Sequence, residues 1–275
     1  MLNINVRPNV MMPRRGTGGA GIVLALLGAC ISLYIIAPLL YFLWALPWPT
    51  LASALSDPEA WQSLETSLIS ATISTLIIAF FGVPLGYLLA RFSFPSKELI
   101  NLVIYLPIVF PPVVSGIVLL ILYGPYGPIG SPLTSIGLEL DNTLAGIILA
   151  QIFVAAPFVI VAARSSFETI DPRLEQVAAT LGERRWGLFW RVSLPLARSG
   201  IIAGLILGWM RALGEFGATI VMAYHPYTLP VYTYVQLTGT GVPGALPLAL
   251  MSLAVSIVVI GLILFIQRRM GRQVL

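Results

Sequence analysis

Arg211 and Glu215 stand four residues apart in a run that is otherwise almost wholly apolar. Four is the spacing that places two side chains on one face of a helix. Charges inside an apolar span are costly, usually face the interior of a bundle, and by default raise a functional hypothesis. A guanidinium presents a planar fork of donors that suits an oxyanion, so Arg211 is a candidate for meeting an anion in passage. The competing reading is a structural ion pair that merely holds helices together. Other chemistry is scarce. The single cysteine, Cys30, and single histidine, His225, exclude a disulfide framework and a His/Cys metal site. The only lysine, Lys97, follows Ser96, so no phosphate-binding Gly-x-x-x-x-Gly-Lys-Ser/Thr loop exists and ATP hydrolysis is not expected of this chain. No His/Cys cluster, nucleophile elbow or carboxylate pair lies in the apolar runs, which argues against a membrane enzyme.

The elements that must position these groups are membrane helices. Hydrophobic residues make up 58% of the chain and charged ones 9%, and several apolar runs exceed the roughly 18 residues that signal a span. The pattern predicts an all-α, polytopic membrane protein with six transmembrane helices, at about 20–46, 64–90, 99–123, 143–163, 199–223 and 248–266. Short tails precede (1–19) and follow (267–275). The first run is too long for a signal-peptide core and lacks a small-residue cleavage site, so it is expected to remain as a helix. Residues 64–266 form the expected core of five helices, with a polar loop at 164–198, and no further regulatory domain is expected after the last span.

Orientation follows the arginines. Arg7, Arg14, Arg15, Arg91, Lys97, Arg164 to Arg198, Arg268, Arg269 and Arg272 fall in every second loop, while the alternate loops carry Asp57, Glu59, Glu139 and Asp141 without Lys or Arg. By the positive-inside rule both termini and the 164–198 loop are expected to be cytoplasmic. This placement also accounts for the basic excess without a nucleic-acid partner. Within the spans, Pro107, Pro111 and Pro112 with Ser115 predict a kinked third helix, either walling a wet pathway or reflecting the commonness of proline in membrane helices. Gly200, Gly204, Gly208 and Ala212 recur every four residues on the fifth, a small-residue face for close helix packing.

The 171–195 segment reads as a docking surface. Asp171 is a good N-cap and Pro172 suits the first helical position. Leu174, Val177, Ala178 and Leu181 then form one apolar stripe, and Gly182 suits a left-handed helix end. A second short helix carrying Trp186, Phe189, Trp190 and Val192 is expected to follow.

At these residues the chain resembles the permeases of ABC importers. The stretch is similar to their EAA loop, with the central glycine at Gly182 and the hydrophobic-x-Leu-Pro ending at Val192, Leu194 and Pro195. Of the Glu-Ala-Ala triplet, falling on Gln176, Val177 and Ala178, only Ala178 matches, and the acidic residue stands one place earlier as Glu175. The resemblance implies a type I ABC importer-like fold in which Glu175, Gln176, Ala178, Gly182, Phe189, Leu194 and Pro195 couple to a cytoplasmic ATPase. Arg211-Ala-Leu-Gly-Glu215-Phe-Gly-Ala-Thr219 resembles permeases of the molybdate, tungstate and sulfate group, most closely the molybdate branch, as do Pro111-Pro112-Val-Val-Ser115-Gly and 124–130. It implies a translocation path including Arg211, Glu215, Thr219, Pro111, Pro112 and Ser115. It further implies a multi-pass protein of the cell membrane with two ATPase subunits holding ATP and Mg, an extracytoplasmic binding protein, and a second permease copy. No cofactor is expected on this chain. Outer loops 48–61, 124–142 and 224–246 are candidate seats for the binding protein. Sulfate or tungstate permeases of the same type are alternatives, and an ion-coupled secondary transporter is a different-class alternative for which Glu215 is the one titratable candidate.

Overall fold

The computed structural model describes residues 19–45 and 56–271, with side chains for 21–45 and 56–261. The N-terminal tail, 46–55 and the final four residues therefore lie outside the described residues, as does the last residue of the first expected span. Among the described residues all regular structure is helical. The chain divides into two units, 1–47 and 48–275. The first contains α1 (Gly19–Trp44), apolar on every face, as a helix in lipid is.

The second unit begins with α2 (Pro58–Arg91), whose first turn is capped by Asp57 accepting the Glu59 N–H at 3.0 Å. Then come α3 (Lys97–Val109), α4 (Pro112–Tyr123), the short α5 (Gly130–Ser135), α6 (Leu144–Glu168) and α7 (Pro172–Thr180). A helical run Arg185–Leu213 follows, made of α8 (Arg185–Gly187), a π-helical stretch Leu188–Ser193, and α9 (Leu194–Leu213). Last are α10 (Gly217–Met222), α11 (Leu229–Thr240) and α12 (Val242–Gly271). By length and composition five helices can cross a membrane, or six spans if α3 and α4 count as one.

Three expectations change. The third span is broken, not kinked: α3 and α4 meet at 117°. Pro111 and Pro112 both lack an N–H, and each forces its predecessor out of helical conformation, so Phe110 and Pro111 are extended at ψ 133° and 132°. The fifth span does not run to residue 223. It stops at Leu213, because Gly214 ends it and Glu215 turns its side chain to the next helix. Nor is 224–246 a plain loop, since Leu229 and Tyr232 of α11 are buried and pack with Ala60, Leu248 and Met251.

The centre of the unit is α6, which packs along both α2 and α9. Small residues make this approach close. A Cβ on Gly86 of α2 would sit 2.9 Å from the Ala163 Cβ, and one on Gly204 of α9 would sit 2.5 Å from the Ala162 Cβ. Gly200 and Gly208 face Ser166 and Val159 in the same seam. The glycine stripe thus lies against α6, as expected where dispersion rather than the hydrophobic effect drives helices together in lipid. Polar side chains are matched rather than excluded. Gln151 of α6 accepts from the Ser74 Oγ at 2.9 Å and donates to the Ser70 Oγ at 3.0 Å, and Ser67 Oγ accepts the Leu229 N–H at 2.7 Å.

At the acidic end, the Tyr232 hydroxyl donates to Asp57 Oδ2 at 2.6 Å. Burial, followed by that bond to a carboxylate, pushes its pKa up to about 12, so the proton needed for the bond stays in place.

Candidate functional site

Two regions carry the charged residues singled out by the sequence. The first lies where the end of α9 meets the broken span α3–α4. Arg211 occupies the last turn of α9 rather than the middle of a long helix, and its Nη1 pairs with Glu215 Oε2 at 2.5 Å. Glu215 is 1% exposed, and its Oε1 accepts the Ala218 N–H at 2.8 Å. A carboxylate there satisfies one of the free N–H groups that begin α10. The ion pair is therefore also the joint between α9 and α10, which is the structural reading of the pair.

The broken span packs directly on this joint through α4. Glycines permit the contact: Gly116 of α4 lies over Ala218 and Val221, while Gly217 lies over Pro112, where a Cβ would come within 2.6 Å of the proline ring. Pro111 caps α4 and Pro112 opens it, and both are exposed. Ser115 on α4 and Thr219 on α10 are wholly buried, and the hydroxyl of each lacks a hydrogen-bond partner. Buried hydroxyls normally find one, so this is a place with polar capacity to spare. Gly214 in the joint also lines an apolar cleft of about 230 Å³ with Leu64, Ser67, Met210, Leu213 and Leu229.

The second region is the 171–195 segment. Asp171 caps α7 by accepting the Arg173 N–H at 2.9 Å. At the other end Gly182 has φ +96°, with its N–H bonded to the Ala179 carbonyl and that of Glu183 to the Ala178 carbonyl, the paired bonds of a Schellman ending. The expected second helix is not separate. It is α8 and the π-helical stretch, continuous with α9.

The stripe on α7 turns outward: Leu174, Val177 and Leu181 are 49%, 58% and 82% exposed, with Trp186 at 71% and Trp190 at 49% beside them. Gln176 and Pro195 are exposed, while Ala178 and Leu194 are half-buried. Phe189 points the other way, 5% exposed, its ring 5.1 Å from that of Tyr87 and 6.1 Å from that of Phe167.

Glu175 does not join the outward surface. Its Oε1 accepts from Arg91 Nε at 2.8 Å and from the Ser193 hydroxyl at 2.7 Å, and its Oε2 lies 3.5 Å from the Tyr87 hydroxyl. Arg91 Nη2 also donates to the Ile170 carbonyl at 3.1 Å. Arg91, Ser193 and Tyr87 were missed as partners in the sequence. Arg91 entered there only as a topology marker, and a Ser or Tyr near a span end carries no signal by itself.

A polytopic helical bundle with a broken span and an amphipathic helix whose apolar stripe faces outward fits the class of membrane transport subunits. The chain belongs to the family described as binding-protein-dependent transport system inner membrane component, whose model matches residues 82–272. Among its relatives, a probable molybdenum ABC transporter permease of Haloferax volcanii is 43% identical over 232 residues, covering 84% of this chain and 85% of that one. The molybdate/tungstate transport system permease of Thermococcus kodakarensis is 35% identical over 90% of this chain and 95% of its own length. The molybdenum transport system permease of Escherichia coli K12 is 39% identical over 74% and 91%.

Solved structures give the same fold at lower identity. A bacterial alginate ABC transporter, in complex with an alginate pentasaccharide-bound periplasmic protein, includes a chain with TM-score 0.68 at 20% identity, covering 90% of this chain and 94% of that one. An amino acid ABC transporter follows at 0.59 and 19%, covering 80% and 97%.

Proposed function

We propose that this chain is the permease of an ATP-driven importer that carries molybdate into the cell. Two copies form the passage, an extracytoplasmic binding protein delivers the anion, and two ATPase subunits hold ATP and Mg on the cytoplasmic side. The observation that carries the reading is the outward apolar surface of Leu174, Val177, Leu181, Trp186 and Trp190. Such a patch at the end of a membrane protein costs free energy unless a partner covers it. The relatives' names support an ABC ATPase as that partner and molybdate as the cargo, and the family description supports the binding protein.

ATP-driven closure of the ATPase pair pushes this surface, and the bundle switches between outward- and inward-facing states as a rigid-body event. Arg211, joined by the Ser115 and Thr219 hydroxyls once that switch uncovers them, offers weak and passing contacts to a tetrahedral oxyanion. Tight binding there would trap the anion, so high affinity belongs to the delivery protein.

The test is uptake of radiolabelled molybdate into proteoliposomes holding the permease, its ATPase and its binding protein. ATP-dependent uptake that excess tungstate suppresses and excess sulfate does not supports the proposal. Equal suppression by sulfate moves the cargo to sulfate. Uptake that persists without the ATPase overturns the importer reading.

A further inference from the structure

Glu175 occupies the acidic position of the coupling segment, yet it faces into its own chain. Its side chain is 13% exposed and that of Arg91 10%, so the pair is withdrawn from any surface a partner could cover. The partners come from three places in the fold: the last residue of α2, the end of the π-helical stretch leading into α9, and, through Arg91, the Ile170 carbonyl just before α7. Around them Tyr87, Phe167 and Phe189 form a ring cluster with centroid spacings of 5.1 to 6.1 Å. These aromatics keep water from the carboxylate and raise the worth of each bond.

From this arrangement we infer that Glu175, Arg91 and Ser193 are positioning residues that clamp the coupling helix to α2 and α9. A push on the exposed face of α7 then moves both helices together, instead of being absorbed by α7 swinging on its loops. The residue order supports a clamp rather than ordinary loop stabilisation. Asp171 and Gly182 already cap α7 at both ends, so Glu175 is not needed to make the helix. What it adds is the connection to elements 84 and 18 residues distant. This inference rests on the reading of 171–195 as the ATPase-docking segment.

The experiment is a double-mutant cycle in the full complex, using Glu175→Gln, Arg91→Gln and both together, reading molybdate imported per ATP hydrolysed. Each single change is expected to lower that ratio on the order of fivefold with ATPase subunits still co-purifying. The double change should be no worse than the worse single, because the two groups act through each other. Multiplying losses, or an Arg91→Gln complex with an unchanged ratio, would overturn the clamp. So would loss of the ATPase from Glu175→Gln alone, which would place Glu175 at the interface.

If Arg91→Gln does not fold, Ser193→Ala removes one hydroxyl from the clamp, and the ratio should still drop; no change overturns the proposal. A second readout separates the clamp from the transport reading. Spin labels at Leu76→Cys and Ala179→Cys in a Cys30→Ser background should give a narrow distance distribution that Arg91→Gln broadens. Broadening in a complex that imports nothing leaves the clamp standing and sinks the transport assignment, whereas an unbroadened distribution sinks the clamp.

Discussion

Two of the arginine–carboxylate pairs among the described residues, Arg91–Glu175 and Arg211–Glu215, are built on opposite plans. Arg91–Glu175 joins distant parts of the chain, and its carboxylate is held by the Arg91 guanidinium and the Ser193 hydroxyl, with the Tyr87 hydroxyl at the limit of reach. Arg211–Glu215 joins residues one helical turn apart, and the carboxylate spends its other oxygen on the Ala218 N–H. Around the first pair the hydroxyls have partners. Beside the second, Ser115 and Thr219 have none. Closed satisfaction suits the force-transmitting part proposed for the first pair, while unspent polar capacity near a partly exposed arginine suits the anion contact proposed for the second.

The largest effect expected is from Glu215→Ala. It leaves the Arg211 side chain, 28% exposed, without its counter-charge and uncaps α10. Loss of a buried partner costs about 3–5 kcal/mol, and the exposed edge of the arginine brings the expectation to about 2–3 kcal/mol. Thermal unfolding in detergent checks it. Arg211→Met in the same assay should cost less, because Glu215 keeps its bond to the Ala218 N–H, but it should abolish uptake. Equal costs for the two changes would make this pair a second clamp and erase the contrast.

Next in size is Ser193→Ala. Ser193 is fully buried and donates to a carboxylate, and a hydrogen bond to a charged group contributes about 1.5–3 kcal/mol. The partly exposed pair it serves puts the expected cost near the lower limit, about 1.5 kcal/mol, readable as a lower unfolding midpoint.

How much of this was open to sequence reasoning depended on whether the cause was local. The α7 caps, the glycine ending at Gly182 and the small-residue stripe of α9 are set by residues within one or two turns, and the structure has them where residue type and spacing put them. The six-span count likewise depends only on run length. The breaks were harder. Pro111 and Pro112 announced a disturbance but not its size, because a 117° bend is tolerated only when Gly116 and Gly217 let α4 and α10 close over it. The end of α9 at Leu213 was hidden by apolar residues continuing beyond it. The turning inward of Glu175 was invisible, since its partner lies 84 residues away. Gln151 was the missed opportunity, a polar residue inside an apolar span whose partners Ser70 and Ser74 lie on the facing helix.

The smallest expected effect is the sharpest for the contrast. Ser115→Ala and Thr219→Val each remove a buried hydroxyl that has no hydrogen-bond partner. Deleting such a group relieves a desolvation cost instead of breaking a bond, so stability should stay within about 0.5 kcal/mol or rise. Thr219→Val keeps side-chain shape nearly constant, which isolates the hydroxyl from the packing of α10 against α4. Molybdate uptake should nonetheless fall in both variants, since the lost groups are donors for an anion rather than struts. Two buried serines, Ser193 and Ser115, would then respond with opposite balances of stability and transport. A Ser115→Ala variant as destabilised as Ser193→Ala would show its hydroxyl to be engaged in the folded protein, and the proposed division between a clamp and an anion passage would fail at that residue.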